Sequence, residues 1–360
     1  MRAAARLAVL STLLALAVST GMLPAAHAQA HPELADLPAI ATEGMEARVA
    51  TSIQNARRQL AGNPASALAW AELGMVLQAH DLIEAALFCY GQANRRDTRD
   101  YRWPYLAAVA AAGVRPTEAA GHFAKAAALE PRDHTLFIAY ADLLTRLGRN
   151  DPARSAYEHA QTLNLRSSYA RIGRARLAIL AGDAAGALTL LEQARGLSPR
   201  NSEVHTLLAQ VHRRLGDPQA AGRAEWMAKA HGRLSPRSGV VDAMRAKAVN
   251  AQAYSGRGSR LAARGDLGAA EAAYREVLSI RPGSGEDLAN LATVLSKMGR
   301  HHDAFELFER GLALDPGSVQ LLSQAGHAYV RAGESERAAQ SLRLAVDVAP
   351  NSAHATNYMK

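Results

Sequence analysis

The sequence predicts an all-α solenoid of about eight helix-turn-helix units, interrupted by one connector. Three observations carry that prediction. First, alanines in matching contexts (Ala86, Ala119, Ala153, Ala187, Ala221, Ala270, Ala304 and Ala338) are separated by 33, 34, 34, 34, 49, 34 and 34 residues. A fixed period of this length signals stacked supersecondary units, none of which can bury its apolar face alone. Second, 49% of the 360 residues are hydrophobic but only 5% are aromatic, and much of the apolar content is alanine. Helices packed closely through small side chains fit that composition better than a barrel or sandwich filled by bulky residues. Third, glycine turns and prolines recur at matching places, where they stop one helix and start the next.

Residues 1–30 read as a secretory signal. Arg2 and Arg6 form a positive end, Leu7 to Val18 an apolar stretch, and Ala26-His27-Ala28 or Ala28-Gln29-Ala30 a small-x-small cleavage site. The apolar run is shorter than the roughly 20 residues that span a bilayer, so membrane contact is expected only if the signal stays uncleaved. Residues 31–62 form an N-terminal extension. Within it Met45, Val49, Ile53, Ala56 and Leu60 make one helical stripe, which suits a capping helix.

Residues 63–232 hold five units. The clearest places Trp70, Leu73, Gly74 and Leu77 on one face of a first helix, and Ala86, Tyr90 and Ala93 on one face of a second. Gly74 and Ala86 are expected where two helix backbones come close. Turns such as 147–152, 180–186, 215–219, 264–268 and 298–303 combine a glycine, to stop the first helix, with Asp or Asn, to cap the second. Pro131, Pro199, Pro282, Pro316 and Pro350 close units. Residues 233–250 form an irregular connector, with Ser235-Pro236 and Ser238-Gly239 turns ahead of a stripe of Val240, Val241, Met244 and Ala248. It is expected beside the surface of the first helices, near Arg213 and Arg214. Residues 251–353 hold three more units and 354–360 a tail. So little chain follows Pro350 that the C-terminal face is expected to be open, with a second copy of the chain as its candidate occupant; the rival is a polar last helix that tolerates solvent.

Trp70, Leu73, Gly74, Ala86, Tyr90 and Ala93 in one unit, and Trp103, Leu106, Ala119, Phe123, Ala126 and Pro131 in the next, resemble the pattern of the tetratricopeptide-repeat family, here of an exported bacterial type. The resemblance covers about residues 67–353. It implies a right-handed superhelix with a concave groove lined by the first helices. The family's inward-facing places are occupied by Tyr101, Asp142, Arg146, Tyr169, Arg176, Gln210, Arg213 and Arg214. A basic groove with aromatic neighbours is therefore expected, since a guanidinium takes a carboxylate bidentately. In the last three units the same places hold Gln252, Ser255 and Ser259, then Glu286, Ala289 and Thr293, then Gln320, Ser323 and His327. The family's Lys and Asn carboxylate clamp for chaperone tails is absent from the corresponding places.

Catalytic motifs are missing: no Gly-x-Ser-x-Gly, no Gly-x-x-x-x-Gly-Lys-[Ser/Thr] and no His-Glu-x-x-His occurs. No enzymatic activity and no cofactor are expected. His301, His302 and Glu306 come nearest to a metal set but read as decoration of an exposed helix start. Cys89 is the only cysteine and reads as an apolar filler. The formal charge of +8 is a mild excess, compatible with an acidic partner and short of a nucleic-acid signature. The expected role is a periplasmic or secreted scaffold that binds another envelope or periplasmic protein through an extended or acidic segment. The alternative is a component handling or exporting an anionic envelope polysaccharide, because rings stack on sugars and arginines pair with uronates.

Overall fold

The computed structural model describes residues 36–349. The signal reading of residues 1–30, Pro350 and the tail lie outside the described residues. From Leu37 onward the described residues belong to one compact unit.

Among the described residues every regular element is helical. Helix α1 (Ala47–Gly62) buries Val49, Ile53, Ala56 and Leu60, the stripe expected of a cap. Five pairs follow. They are α2 (Ala67–Ala79) with α3 (Ile83–Arg96), α4 (Arg102–Ala111) with α5 (Pro116–Leu129), and α6 (His134–Arg146) with α7 (Asn150–Leu163). The fourth and fifth are α8 (Ser168–Leu180) with α9 (Ala184–Leu197), and α10 (Ser202–Arg214) with α11 (Pro218–Ala230). A short helix α12 (Gly239–Arg245) lies in the connector. The last three pairs are α13 (Ala251–Ala263) with α14 (Leu267–Ile280), α15 (Gly285–Lys297) with α16 (His301–Leu314), and α17 (Val319–Ala332) with α18 (Ser335–Val348). Each helix packs on its partner, and within each array the second helix packs on the first helix of the next unit. The chain is thus a solenoid of helix-turn-helix units.

Local chemistry explains the corners. Gly148, Gly182, Gly216, Gly265, Gly299 and Gly333 sit at φ between 71° and 82°, the left-handed region that glycine enters without a Cβ penalty. The residue after that glycine is the cap of the second helix. Asp183, Asp217 and Asp266 fill it and accept from the backbone N–H of Gly186, Ala220 and Ala269. In the 147–152 and 298–303 turns the place falls to Arg149 and Arg300, which cap nothing with their side chains, and the expected Asn and Asp come too late in the chain. The first unit departs further: its corner residue is Asp81, at φ 62°. An L-residue pays on the order of 1 kcal/mol there. Asp81→Gly should therefore raise stability by about 0.5–1 kcal/mol in a thermal melt, after the extra freedom of glycine in the unfolded chain is set against the gain.

Small residues seat rings. A Cβ on Gly74 would lie 2.8 Å from Cε1 of Tyr90 and 3.2 Å from Cβ of Cys89, so the paired helix comes close at this glycine and its aromatic ring takes the space that glycine leaves. Cys89 beside it is fully buried, and burial pushes its thiol up to about 12, which keeps it protonated as a filler.

The connector positions everything that follows. Leaving α11, Gly232 accepts from the N–H of Ser202 (3.1 Å), and the Leu234 N–H donates to Asn201 Oδ1 (3.3 Å), both at the start of α10. Ser238 then caps α12, which buries Val241 and Met244 and packs on α2 and α4, the first helices of units one and two. Lys247 pairs with Glu72 of α2. The Ala251 N–H donates to Glu46 (3.0 Å), just ahead of α1, while Arg48 of α1 pairs with Glu276 and donates to Ser279 (2.9 Å) of α14. The chain therefore runs back from the fifth unit to the first, across the surface shared by the first helices, and the second array begins beside α1.

Candidate functional site

Two of the sequence-predicted residues are brought into one network. Asp142 Oδ1 accepts from the Tyr157 hydroxyl (2.5 Å) and from Arg176 Nη1 (2.8 Å), and Arg176 Nη2 donates to Glu203 (2.5 Å). Glu203 also meets Arg233 of the connector (3.3 Å). Burial works against the charge of Arg176, yet the carboxylates of Asp142 and Glu203 outweigh it and hold the guanidinium above its ordinary value. Arg176→Ala would strip half-buried Asp142 of its cation and leave Glu203 with the exposed Arg233 alone. A loss of about 2–3 kcal/mol in chemical denaturation is expected, partly restored when Asp142→Asn is added.

The other predicted residues serve elsewhere. Tyr101 takes the cap position of α4, stacks on Tyr105 with centroids 6.5 Å apart and lies 3.5 Å from Asp133; burial, then that carboxylate, push its hydroxyl up to about 12. Arg146 is exposed at the end of α6, and Gln210 is half-buried on α10. Arg213 pairs with Glu225 of its own unit, and Arg214 donates to the Ile179 carbonyl (2.7 Å) at the end of α8. Their guanidiniums are thus engaged within the solenoid, and the connector's described contacts fall on Asn201, Ser202, Glu203 and Glu72 instead. Tyr169, half-buried, faces a cavity.

That cavity, of about 1090 Å³, lies between the returning connector and α13, with Gln78 and Tyr169 contributed by the first array. Arg233, Arg237 and Arg245 enter it from the connector, and Arg257, Arg260 and Arg264 from α13 and its end. The acidic residue lining it is Asp242, shared by Arg237 (3.4 Å) and Arg245 (3.9 Å). Arg257 lies over the Tyr254 ring, 5.0 Å from its centroid. The α13 arginines were not among the expected groove residues. Projection of α13 pointed Gln252, Ser255 and Ser259 inward; Gln252 does line the cavity, but the Ser259 hydroxyl is bonded to that of Tyr274 (2.9 Å). A signal existed in the spacing, since residues three and then four apart form one basic stripe on a helix.

Of the suggested metal set, His302 and Glu306 face each other at 3.6 Å on an exposed surface, and His301 stacks on Phe305. Among the described residues no three or more His, Cys, Asp or Glu side chains gather as a metal site, and no helix is long and apolar enough to cross a membrane. The last described helix, α18, exposes Leu344 and Val348.

A family model described as tetratricopeptide repeat matches residues 178–224 and 295–357. Over 138 residues the chain is 29% identical to anaphase-promoting complex subunit 3 of Schizosaccharomyces pombe (strain 972 / ATCC 24843), covering 38% of this chain and 21% of that protein. Over 103 residues it is 26% identical to small glutamine-rich tetratricopeptide repeat-containing protein 2 of Mycosarcoma maydis, covering 29% of each. The chain therefore spans less than a third of the length of these curated relatives. Among solved structures it is similar to YrrB, a TPR protein with an unusual peptide-binding site, at 18% identity and a TM-score of 0.27 over 67% of this chain and 98% of that one. It is also similar to MamA 41-end from Desulfovibrio magneticus RS-1, at 16% identity and a TM-score of 0.43 over 46% of this chain and 93% of that one. Helix pairs that keep one phase, broken only by the connector, agree with the matched family model in both arrays: the chain carries tetratricopeptide repeats, and proteins built of such repeats generally act as non-catalytic scaffolds for protein–protein interaction.

Proposed function

We propose that the protein is an exported scaffold of the bacterial cell envelope, which holds a polypeptide segment of a partner against the surface of its first helices while a complex is assembled or matured. The observation that carries this reading is the connector itself. A non-helical stretch of chain, residues 231–238, already lies on that surface, with main-chain groups bonded to Ser202 and Asn201 and the Arg233 side chain on Glu203. An ordered surface that holds one such stretch lowers the ordering cost of holding another.

The envelope setting rests on the signal-like residues 1–30. Mass spectrometry of the protein recovered from envelope fractions should show a chain starting near Gln29 or His31. A photo-crosslinking residue placed at Tyr169 should capture one defined protein in cells, and the same residue at the exposed Lys125 should not. Polysaccharide as the sole adduct at Tyr169 would replace this reading with the polymer-handling one.

A further inference from the structure

We infer that the cavity between the connector and α13 is the binding site, and that its occupant is an extended acidic segment of a partner polypeptide; this deepens the scaffold reading and rests on it. Six arginines and one aspartate line the cavity. Asp242 is divided between Arg237 and Arg245, and Glu203, the carboxylate next to Arg233, is already held by Arg176. Among the described residues no carboxylate pairs with Arg257, Arg260 or Arg264. Guanidiniums converging on one partly enclosed space raise its potential, so an incoming carboxylate is attracted by several at once. Their planar forks can then bind it bidentately.

The wall between the charges favours a polypeptide. Ala253 and Ala263 lie among the arginines of α13, and the Arg260 guanidinium lies against Gly256, so the wall between the charges is built of small side chains. From Arg257 to Arg264 the rise is roughly 10 Å, the length of about three residues of extended chain, so alternate acidic side chains of a strand can reach successive guanidiniums. The opposite wall is the connector, which interrupts the repeat and belongs to no unit. Of the groove positions that every unit repeats, the site takes Tyr169 and Gln252, while its arginines lie outside them and Arg213 and Arg214 take no part in it.

The test uses the full chain and a fluorescein-labelled peptide of alternating Glu and Ser, read by fluorescence anisotropy. The matching Gln-Ser peptide and galacturonate oligomers serve as competitors. The Glu-Ser peptide should bind, with affinity falling as salt rises, and the Gln-Ser peptide should not. R257Q/R260Q/R264Q should weaken binding on the order of a hundredfold with an unchanged melting curve, R257K/R260K/R264K should weaken it less, since the charge is kept and the bidentate fork lost, and R213Q/R214Q should leave it intact. If R257Q/R260Q/R264Q melts early, R237Q/R245Q on the facing wall must produce the loss. Equal affinity in the parent and these variants would overturn the site, as would galacturonate displacing the peptide at lower concentration than the peptide itself. A partner crosslinked in cells at Tyr169 despite unchanged peptide affinity would overturn the cleft and spare the scaffold. Loss of peptide binding in the variants with no protein captured in cells would do the reverse.

Discussion

Trp70→Ala should destabilise the first unit by about 3–5 kcal/mol, and its effect should reach the connector. The indole is fully buried, meets Phe88 edge-on with centroids 6.0 Å apart, and donates its N–H to the Pro64 carbonyl (2.9 Å). The Arg96 guanidinium covers its ring at 5.0 Å from the centroid and donates to the same carbonyl (3.0 Å). Alanine would leave a cavity on the scale of the whole ring system in a unit flanked by a whole helix pair on one side and by the single helix α1 on the other. Helix α2 also carries Glu72, the partner of Lys247, and supports α12. Thermal melts followed by circular dichroism should split into two transitions, and hydrogen exchange should accelerate in residues 239–248 together with those of α2 and α3.

Gly173→Ala should cost about 2–3 kcal/mol, a large effect for one methyl group. Its Cβ would lie 2.2 Å from both Cε1 and Cζ of Tyr157. That ring is fully buried and cannot swing aside, because its hydroxyl is fixed on Asp142, which Arg176 holds in turn. Burial, reinforced by Asp142, keeps the phenol protonated far above its ordinary range, so the hydroxyl stays a donor as the pH rises. Urea titration of Gly173→Ala, Tyr157→Leu and the double variant should show strong coupling, with the double variant more stable than the sum of the single losses implies.

Trp70 belongs to the part of the structure that is legible in the sequence, whereas Gly173 lies two residues from the repeated small place, Ala175, and its role shows only in the packing against Tyr157. The period, the apolar stripes and the glycine corners depend on interactions a few residues apart or one repeat apart, so spacing alone reveals them. The Asp142–Arg176 pair was open to the same reasoning: the two residues are one repeat apart, which places them at equivalent positions on adjacent helices. The path of the connector was not open to it. It depends on Lys247 meeting Glu72 and on Ala251 meeting Glu46, contacts that join distant units and leave no periodic trace. For the same reason the expected groove residues and the cavity residues overlap only at Tyr169 and Gln252. Projection onto a repeated wheel treats every unit alike, whereas the cavity exists where the repetition stops.

The return of the chain to its own first unit is the claim on which the cavity depends. Cysteines at positions 48 and 279, introduced as Arg48→Cys and Ser279→Cys in a Cys89→Ala background, test it with a short bis-maleimide at high dilution. Efficient intramolecular linkage, seen as a mobility shift in denaturing gels and unaffected by further dilution, is the predicted result. Absence of that linkage, with efficient linkage between Trp226→Cys and Tyr254→Cys instead, would mean that α13 simply continues the stack on α11, and would contradict it.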